Sequence, residues 1–412
     1  MKISFIAFTD ARGGAAKAAV RIRSLFNKND VDSDFISIES YENRMPFFQR
    51  VIHFIFWVIS YFLTKLQYST NPCKYSLNLF GSKYIANEIK TAKLLHIHWI
   101  NNETLSIINF PLLSGKSVIT LHDEWFYCGA EHHAIDNKSY DRVVNGYTVN
   151  NKNVNGVDLN RLVWERKRKY YSHLNDVIFT VPSIWMKNRA EQSYLLRNKD
   201  IRVVPNPVDT SVFSPDKTQF TIDGISDKDY VITFGAIDGS ASDIKGFDLL
   251  SEAICYFSKK VDCKDNIKII IFGGKEKKHG SMFGIKTIEL GHISSESMLA
   301  KIYSISSITV VPSRVESFGQ VAAESLSCET PVVAFNHSGL MDIVKHKING
   351  YLAEPFKALS LAEGILWCYR LDKEQKTQLG VQGREHVVQF FSNDVIRNKL
   401  LAIYKELDNK QN

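Results

Sequence analysis

Short apolar runs alternate with helical patterns along the first half of the chain. Runs of the β type predict strands at residues 3–8, 35–38, 94–99, 117–121 and 177–181. Apolar positions at helical spacing lie between some of these runs and after the last, at residues 15–26, 163–174 and 184–197. Because strands that alternate with helices pair in parallel, this half of the chain predicts a parallel sheet covered by helices.

The alternation stops at a connector and then starts again. Residues 203–215 hold three prolines, which interrupt helices and sheets alike. Beyond them the pattern predicts strands at 230–234, 267–272, 307–311 and 331–335, and helices at 247–259, 295–304, 320–327 and 377–407. The chain is therefore predicted to form two Rossmann-like, doubly wound α/β domains that face a central cleft. Their predicted bounds are 1–205 and 206–385, followed by a C-terminal helix at 386–412 that packs back on the first domain.

An apolar segment at residues 47–63 departs from this alternation. It has no charged side chain from Val51 onward, yet spanning a bilayer takes about 20 apolar residues. One interpretation is a helix that lies in the membrane surface, and the other is a helix or hydrophobic lid inside one domain. The first interpretation rests on interfacial aromatic side chains and flanking cations, namely Trp57, Tyr61, Arg44, Arg50 and Lys65, and both interpretations stay open. A basic run at 166–169 either adds attraction to anionic lipid or forms a solvated helix face.

Composition narrows the class of protein. The 412 residues are 44% hydrophobic and 23% charged, which excludes a disordered chain and a multi-span membrane protein. The formal net charge of +7 suits weak attraction to anionic partners better than dedicated nucleic-acid binding. Six cysteines without a CxxC spacing indicate reduced thiols, and the first apolar run ends at Asp10, too early for a signal peptide. We therefore expect a cytoplasmic protein, peripheral at the inner face of the plasma membrane if 47–63 contacts lipid.

Two glutamates follow the strand predicted at 307–311. Glu316 lies in the loop after this strand, and Glu324 lies on the next helix. Carboxylates accept hydrogen bonds from the vicinal hydroxyls of sugars, and the free N–H groups at a helix N-terminus favour a phosphate. Gly319 lets a ligand approach the backbone closely. Two surface glutamates on one helix would give the same spacing, but the strand–loop–helix context favours a site for a phosphorylated sugar.

These residues belong to a wider set that resembles the retaining family-4 glycosyltransferases, which have the GT-B architecture. The matching motifs of the second half are 316–319 with Glu324, 331–334, 349–352, 245–248 and 205–209. The first half fits less closely, through Gly13-Gly14 and His122-Asp123. The resemblance covers about residues 3–390. It implies transfer of a sugar from a nucleotide sugar to a hydroxyl, with the anomeric configuration retained and without a required metal or cofactor.

The resemblance also implies roles for individual residues. Glu316, Lys245 and His122 are the implied catalytic residues. Glu316 would hold hydroxyls of the donor sugar, and Lys245 would neutralise the departing diphosphate, whose negative charge grows in the transition state. His122 would contact the donor sugar or its phosphate. The other implied donor-binding residues are Gly14, the backbone of Ser317, Phe318 and Gly319, Glu324 at the ribose hydroxyls, and His292 near the base.

The first half is expected to supply the acceptor side. His122 and Asp123 stand at the carboxyl end of the strand predicted at 117–121. The loop that follows is rich in groups that stack on sugars or bond to them, so Asp123, Glu124 and Trp125 are predicted to line this side. Gly13-Gly14 either exposes backbone N–H groups to a phosphate or acceptor, or forms a simple tight turn.

No metal site is predicted from the spacing of histidines and aspartates. His122, His132 and His133 match no standard ligand pattern. Residues 30–34 contain two DxD patterns, which hold a divalent metal in the other large glycosyltransferase architecture. Because these aspartates precede a short strand far from any nucleotide-binding motif, we interpret them as a charged turn.

The chain departs from the family pattern at two points. Most members carry an arginine shortly before the lysine at position 245, whereas this loop has none and is longer. Arg314 and Arg12 are the candidates to replace it. The common Gly-Gly after the strand at 331–335 is Gly339-Leu340 here.

The sequence therefore predicts a retaining glycosyltransferase. It would move a hexose-type sugar from a UDP- or GDP-linked donor to a hydroxyl of a lipid-linked oligosaccharide in bacterial O-antigen or capsule synthesis. Its expected partners are the nucleotide sugar, the lipid-linked acceptor and the inner-membrane surface, with no nucleic acid. The alternatives are a non-catalytic nucleotide-sugar-binding protein, an epimerase on the same scaffold, and a Rossmann-type oxidoreductase, against which the missing GxGxxG argues.

Overall fold

The structure is a computed structural model. It describes residues 1–11, 13–26, 31–39, 45–69, 71–216, 220–235 and 243–411. The chain divides into two compact units, which we call unit 1 (Met1–Pro205 with Ile396–Asn412) and unit 2 (Asn206–Val395). The predictions that concern Arg12, Asp30, Arg44 and the loop at 236–242 lie outside the described residues.

Unit 1 is built on a six-stranded parallel sheet. Its strands are β1 (Lys2–Ala7), β2 (Asp32–Ser37), β4 (Leu94–Ile97), β5 (Ser117–Thr120), β7 (Ile178–Val181) and β8 (Asp200–Val203), and a small antiparallel ribbon joins β3 (Gln67–Tyr68) to β6 (Asn155–Gly156). The strand order is β2-β1-β4-β5-β7-β8. The central strands are near-continuous apolar runs because helices cover both faces of the sheet.

Within the described part of residues 1–205, six α-helices pack around this sheet. They are α1 (Gly14–Ser24), α2 (Phe47–Thr64), α3 (Lys83–Thr91), α4 (Asn137–Asn145), α5 (Leu159–Tyr171) and α6 (Ile184–Gln192). Four of them begin at a side-chain cap, in which Ser82, Asp136, Asp158 or Ser183 accepts a bond from an N–H of the first turn.

Helix α2 turns its polar side chains inward and its apolar side chains outward. Only His53 and Ser60 of its 18 residues are buried. His53 Nε2 donates to the Asn102 carbonyl oxygen (2.9 Å), and Ser60 Oγ donates to Glu103 Oε1 (2.8 Å). The exposed large side chains of the helix are Phe47, Phe48, Val51, Ile52, Phe54, Ile55, Trp57, Ile59, Tyr61 and Phe62. The interpretation of 47–63 as a helix buried inside the domain is therefore wrong.

By length and composition, α2 is also the one helix of the described residues that is able to cross a membrane, with a mean hydropathy of 1.4 over 18 residues. Its two buried polar side chains are bonded to the body of unit 1. An 18-residue helix is about 27 Å long, slightly less than the roughly 30 Å of a bilayer core. Both observations fit a helix that lies along a surface better than one that spans a bilayer.

Unit 2 has a seven-stranded sheet. Its strands are β9 (Tyr230–Gly235), β10 (Ile267–Phe272), β11 (Lys277–Met282), β12 (Ile285–Leu290), β13 (Ile308–Val311), β14 (Val332–Phe335) and β15 (Gly350–Ala353). They lie in the order β11-β12-β10-β9-β13-β14-β15, and every pair is parallel except β11 with β12. The helices are α7 (Phe247–Ser258), α8 (Glu296–Ser304), α9 (Gln320–Ser327), α10 (Leu340–Ile343), α11 (Ala358–Arg370) and α12 (Lys373–Phe391).

The last helix, α13 (Asn393–Gln411), returns to unit 1. Its Tyr404 ring lies 5.5 Å from the Phe26 ring, and the Tyr404 hydroxyl lies 2.6 Å from His96 Nδ1. The second predicted boundary, at 385, is corrected to 395. The reason is that Val387 and Phe391 of α12 are packed in the core of unit 2.

Each sheet winds outward in two directions from one pair of neighbouring strands. In unit 1 the chain order reverses between β1 and β4, and in unit 2 between β9 and β13. Open α/β sheets bind ligands at the carboxyl ends of the strands beside such a reversal. The fold therefore marks one candidate position in each unit.

Candidate functional site

Lys245 and Glu316 form an ion pair at the strand reversal of unit 2. Lys245 Nζ lies 2.6 Å from Glu316 Oε1, and Ser313 Oγ donates to the same oxygen at 2.8 Å. Lys245 ends a short 3-10 turn that follows β9, while Glu316 lies in the loop between β13 and α9. The structure thus brings together two of the three predicted catalytic residues, which are 71 positions apart in sequence.

Two tight backbone contacts position this pair. Gly246 has a φ of +69°, and a Cβ atom there would collide with the Pro312 carbonyl oxygen. The Arg314 N–H donates to the Ile244 carbonyl oxygen at 2.8 Å. Because both contacts join the turn before α7 to the segment after β13, they hold Lys245 next to Glu316.

The loop before α9 is fixed by the segment that contains Gly339. The Gly339 N–H donates to the Glu316 carbonyl oxygen (2.8 Å), and the Glu316 N–H donates to Ser338 Oγ (3.1 Å). A Cβ atom on Gly339 would stand 2.6 Å from the Ser317 carbonyl oxygen, so only glycine fits there. The departure from Gly-Gly at Leu340 has a packing reason, since Leu340 is fully buried against Gly319.

Gly319 begins α9 in a conformation that favours glycine. Its φ is +112°, and a Cβ atom would lie 2.8 Å from the Leu340 side chain. The Phe318 side chain is buried against Phe391, with ring centroids 5.3 Å apart. Ser317, Phe318 and Gly319 therefore stand at a helix N-terminus that no side chain caps, and the N–H groups of such a terminus favour an anion.

Glu324 and His292 are the two remaining predicted donor-binding residues of unit 2. Glu324 is buried on the second turn of α9, where Gln320 Nε2 donates to Oε1 (3.2 Å) and the Tyr303 hydroxyl to Oε2 (3.4 Å). His292 is exposed just after β12, which is two strands away from β9 at the same carboxyl edge of the sheet.

Arg314 is occupied by an ion pair of its own. Its guanidinium donates to both carboxylate oxygens of Asp248 (2.9 and 2.6 Å) and to the Asp243 carbonyl oxygen (2.6 Å). The hydrogen bonds from Arg314 hold the pKa of Asp248 below its ordinary value. Arg314 therefore fixes the start of α7. These contacts do not support its predicted role as the replacement for the phosphate-binding arginine.

Unit 1 has a cavity of about 460 Å³ at its own strand reversal. It lies at the carboxyl ends of β1, β4 and β5, and its lining includes Gly13, Gly14, Lys74, Trp99, His122 and Asp123. Gly13 has a φ of +91°, and a Cβ atom on Gly13 or Gly14 would meet no atom within 4 Å. The start of α1 thus presents bare backbone to this cavity.

His122 belongs to a row of three neighbouring histidines. Its Nε2 lies 2.9 Å from His98 Nδ1, and the His98 and His96 rings are 4.2 Å apart. Burial lowers the pKa of His122 to about 4 and that of His96 to about 3. Near pH 7 these imidazoles are neutral, so His122 can act as a hydrogen-bonding group and not as a cation.

Asp123 is held by its neighbours as a carboxylate. Trp99 Nε1 donates to Oδ2 (2.9 Å), His132 Nδ1 lies 2.6 Å from the same oxygen, and the Trp125 N–H donates to Oδ1 (3.0 Å). Burial alone would raise the pKa of Asp123, but the charge and hydrogen bond of His132 hold it well below its ordinary value.

The prediction that Glu124 and Trp125 face an acceptor is corrected, because both side chains are fully buried. Glu124 pairs with Arg189 and accepts bonds from the Ala134 N–H (3.0 Å) and the Tyr127 hydroxyl (3.1 Å). Trp125 Nε1 donates to the Ser76 carbonyl oxygen (2.9 Å). These two residues stabilise the loop behind the cavity and do not line it.

The basic run at 166–169 is also not a single surface. Lys167 is fully buried, and its ammonium donates to the carbonyl oxygens of Trp125, Cys128 (3.1 Å) and Gly129 (2.7 Å). Arg166 donates to the Leu79 carbonyl oxygen (3.1 Å), so only Arg168 and Lys169 are exposed.

The aspartates near residue 32 form part of a strand. Asp32 and Asp34 lie in β2, and Asp34 pairs with Lys2 across the sheet at 3.6 Å. The interpretation as a charged turn is therefore wrong for the described part of this segment. Across the described ranges, no three His, Cys, Asp or Glu side chains are placed together to hold a metal ion.

Sequence reasoning missed Lys74, Trp99 and Asn102, which also line the unit 1 cavity. Trp99 carries a usable signal, since it follows an apolar strand and so stands at its carboxyl end. Lys74 and Asn102 lie in irregular segments without any pattern that identifies them.

Comparison with known proteins shows which proteins this chain resembles. Residues 217–386 match the family model described as glycosyl transferases group 1. An uncharacterized glycosyltransferase of Methanocaldococcus jannaschii is 32% identical over 58% of this chain and 62% of its own length. A D-inositol 3-phosphate glycosyltransferase of Jonesia denitrificans is 27% identical over 52% of this chain and 53% of its own length. The chain thus spans little more than half the length of these curated relatives.

Solved structures extend the likeness to nearly the whole chain. The Anabaena protein HepE, in complex with UDP and glucose, has a TM-score of 0.61 at 15% identity and covers 98% of this chain and 99% of its own. A sucrose-phosphate synthase from Thermosynechococcus elongatus has a TM-score of 0.62 at 16% identity, with 98% of both chains covered. The predicted fold class of two Rossmann-like α/β domains is confirmed. Residues 217–386 thus resemble the glycosyl transferases group 1 family, within a chain of the GT-B fold.

Proposed function

We propose that this protein is a retaining glycosyltransferase that uses a UDP- or GDP-linked hexose as donor. The observation that carries the proposal is the Lys245–Glu316 ion pair, placed beside the N-terminus of α9 in a group 1 domain. A carboxylate, an ammonium and free backbone N–H groups at one position match the hydroxyls and diphosphate of a nucleotide sugar. The HepE structure, whose crystals contain UDP and glucose, supports this class of ligand.

The proposed chemistry needs no nucleophile from the protein. The acceptor hydroxyl attacks the anomeric carbon from the face that the diphosphate leaves, so the new C–O bond replaces the old one with the configuration retained. A phosphate oxygen of the leaving group takes the hydroxyl proton. Glu316 accepts bonds from the sugar hydroxyls, and Lys245 stabilises the charge that develops on the diphosphate.

Each unit has its own proposed role. Unit 2 binds the donor, with Glu324 near the ribose and His292 near the base. Unit 1 binds the acceptor, and the bare backbone at Gly14 with the neutral imidazole of His122 would contact the transferred sugar or its phosphate. No metal or cofactor takes part in this proposal, so added chelator should leave transfer unchanged.

The acceptor is proposed to be lipid-linked, as in the assembly of O-antigen or capsule, with the protein peripheral at the inner face of the plasma membrane. The outward apolar face of α2, with Trp57 and Tyr61, has the composition of an interfacial helix. Arg50 and Lys65, near its two ends, would attract anionic headgroups.

The second candidate is a non-catalytic nucleotide-sugar-binding protein. It is favoured by one observation, namely that Arg314 is paired with Asp248 and the described residues supply no arginine to the Lys245–Glu316 pair. Such a protein would bind the donor without transferring or hydrolysing its sugar.

The test combines binding with turnover. UDP, GDP and their sugars are screened by thermal shift, and release or transfer of a radiolabelled sugar is then measured with the ligand that binds. Glu316→Gln should lower turnover by about 10²-fold or more while the fold survives. Glu385→Gln, an exposed glutamate on α12, is the matched control. Donor binding without turnover in the unaltered protein would favour the second candidate, and equal turnover in Glu316→Gln would overturn the assignment of Glu316.

A further inference from the structure

A second cavity, of about 360 Å³, lies beneath α2 in unit 1. Trp57 and Tyr61 of α2 form one wall, and Tyr75 and Leu77 belong to the opposite wall. The hydrogen bond from Ser60 to Glu103 is part of its lining. Most of the lining surface is apolar and comes from these four side chains, while Thr64, Ser76, Asn102 and the Ser60–Glu103 pair add polar groups.

This cavity adjoins the one at the strand reversal of unit 1. Lys74 and Asn102 line both of them. From α2 the adjoining cavities lead past Lys74 to Gly14 and His122. An apolar compartment and a polar compartment thus meet at one cation.

Lys74 is placed to receive an anion at this junction. Its Nζ lies over the Trp99 ring, 4.2 Å from the ring centroid. The nearby Asp123 carboxylate is already bonded to Trp99, His132 and the Trp125 N–H. The apolar walls on one side and the ammonium at the junction together match an amphiphile with an anionic headgroup.

We propose that the adjoining cavities are the binding site of a lipid phosphate or lipid diphosphate. Its hydrocarbon chain lies between α2 and the segment at 75–77, and its phosphate contacts Lys74. The sugar that follows the phosphate then extends toward His122 and Asp123. The proposal rests on the proposed function, because it specifies the lipid-linked acceptor and the residues that hold it.

The test is a titration of the full chain with dodecyl phosphate below its critical micelle concentration, followed by calorimetry or tryptophan fluorescence. Inorganic phosphate and dodecyl maltoside are titrated in parallel, to separate the contributions of the headgroup and the chain. The variants are Thr64→Trp, which fills the mouth of the α2 cavity, and Lys74→Met, which removes the cation. Lys138→Met, an exposed lysine on α4, is the matched control.

Dodecyl phosphate should bind the unaltered protein and the control with equal Kd. For Thr64→Trp and Lys74→Met we expect the Kd to rise by about tenfold or more. Lys74→Met should leave the binding of dodecyl maltoside unchanged. Circular dichroism and the UDP or GDP thermal shift confirm that both variants are folded. Equal binding of dodecyl phosphate by Thr64→Trp, or binding of inorganic phosphate as tight as that of dodecyl phosphate, would overturn the assignment.

The two proposals fail in different ways. If the protein binds dodecyl phosphate as expected but turns over no nucleotide sugar, the proposed function is overturned and the cavity assignment is not. Turnover of a nucleotide sugar without any binding of dodecyl phosphate would overturn the cavity assignment alone.

Discussion

Gly246 and Pro312 approach each other so closely that no side chain fits on Gly246. The contact joins the turn that carries Lys245 to the segment that leads to Glu316, and the φ of Gly246 is +69°. It accounts for how two loops from different strands hold an ammonium and a carboxylate at hydrogen-bond distance.

Gly246→Ala should therefore damage the fold and the donor site together. A left-handed conformation costs a non-glycine residue about 1–3 kcal/mol, and the collision with Pro312 adds to that cost. We expect a lower melting temperature and loss of the thermal shift with UDP or GDP. The control is Gly274→Ala, since a Cβ atom there meets nothing within 4 Å. A normal shift in Gly246→Ala would show that the contact does not position the site.

Lys167→Met should destabilise unit 1 strongly. It removes the ammonium that donates to three buried carbonyl oxygens, at Trp125, Cys128 and Gly129. Because buried acceptors that lose their donor are costly, we expect a decrease of about 2–4 kcal/mol in the free energy of unfolding in urea. Lys169→Met, two residues away and exposed, should change it by less than about 0.5 kcal/mol. Similar effects of both substitutions would contradict the structural role of Lys167.

Low pH should lower the free energy of unfolding of unit 1 through its buried histidines. Burial lowers the pKa of His96 to about 3 and that of His98 well below its ordinary value of 6.5. Below pH 6.5 the unfolded chain binds protons that these folded imidazoles do not. The free energy of unfolding therefore falls as the pH decreases, by up to about 1.4 kcal/mol per pH unit for each histidine.

The measurement is urea unfolding at pH 7, 6, 5 and 4. His98→Gln should give a shallower dependence on pH than the unaltered protein, whereas His279→Gln, on the exposed strand β11, should not. An unchanged dependence in His98→Gln would mean that other groups cause the acid sensitivity.

Charging the outward face of α2 should abolish the proposed membrane binding. Phe54 and Phe62 are 60% and 65% exposed, so Phe54→Glu with Phe62→Glu costs the fold little but opposes insertion into a bilayer surface. We expect cosedimentation with phosphatidylglycerol vesicles to fall to background. Val149→Glu is the control, because Val149 is 67% exposed but lies outside α2. Equal cosedimentation of all variants would exclude α2 as the membrane contact.

The apolar pattern predicts the central strands well because helices cover both faces of each sheet. Six strands escaped prediction, namely β3, β6, β8, β11, β12 and β15. β8 lies at a sheet edge and carries polar residues, and β11 is an exposed antiparallel strand. The resemblance to a family named Lys245 and Glu316, and the structure pairs the two side chains. Trp125 and Lys167 were misplaced, because a tryptophan in a loop and a lysine in a basic run become buried only through tertiary packing on each other, with Nζ 3.6 Å from the ring centroid.

The placement of α13 has a consequence for synthesis. Ile396, Leu400 and Tyr404 complete a core that begins with β1, so unit 1 takes residues from both sides of unit 2. While the chain is still on the ribosome, the first 205 residues expose the apolar surface that α13 later covers. Unit 2, which is continuous in sequence, is complete earlier. Unit 1 is therefore incomplete and prone to aggregation until α13 has been synthesised.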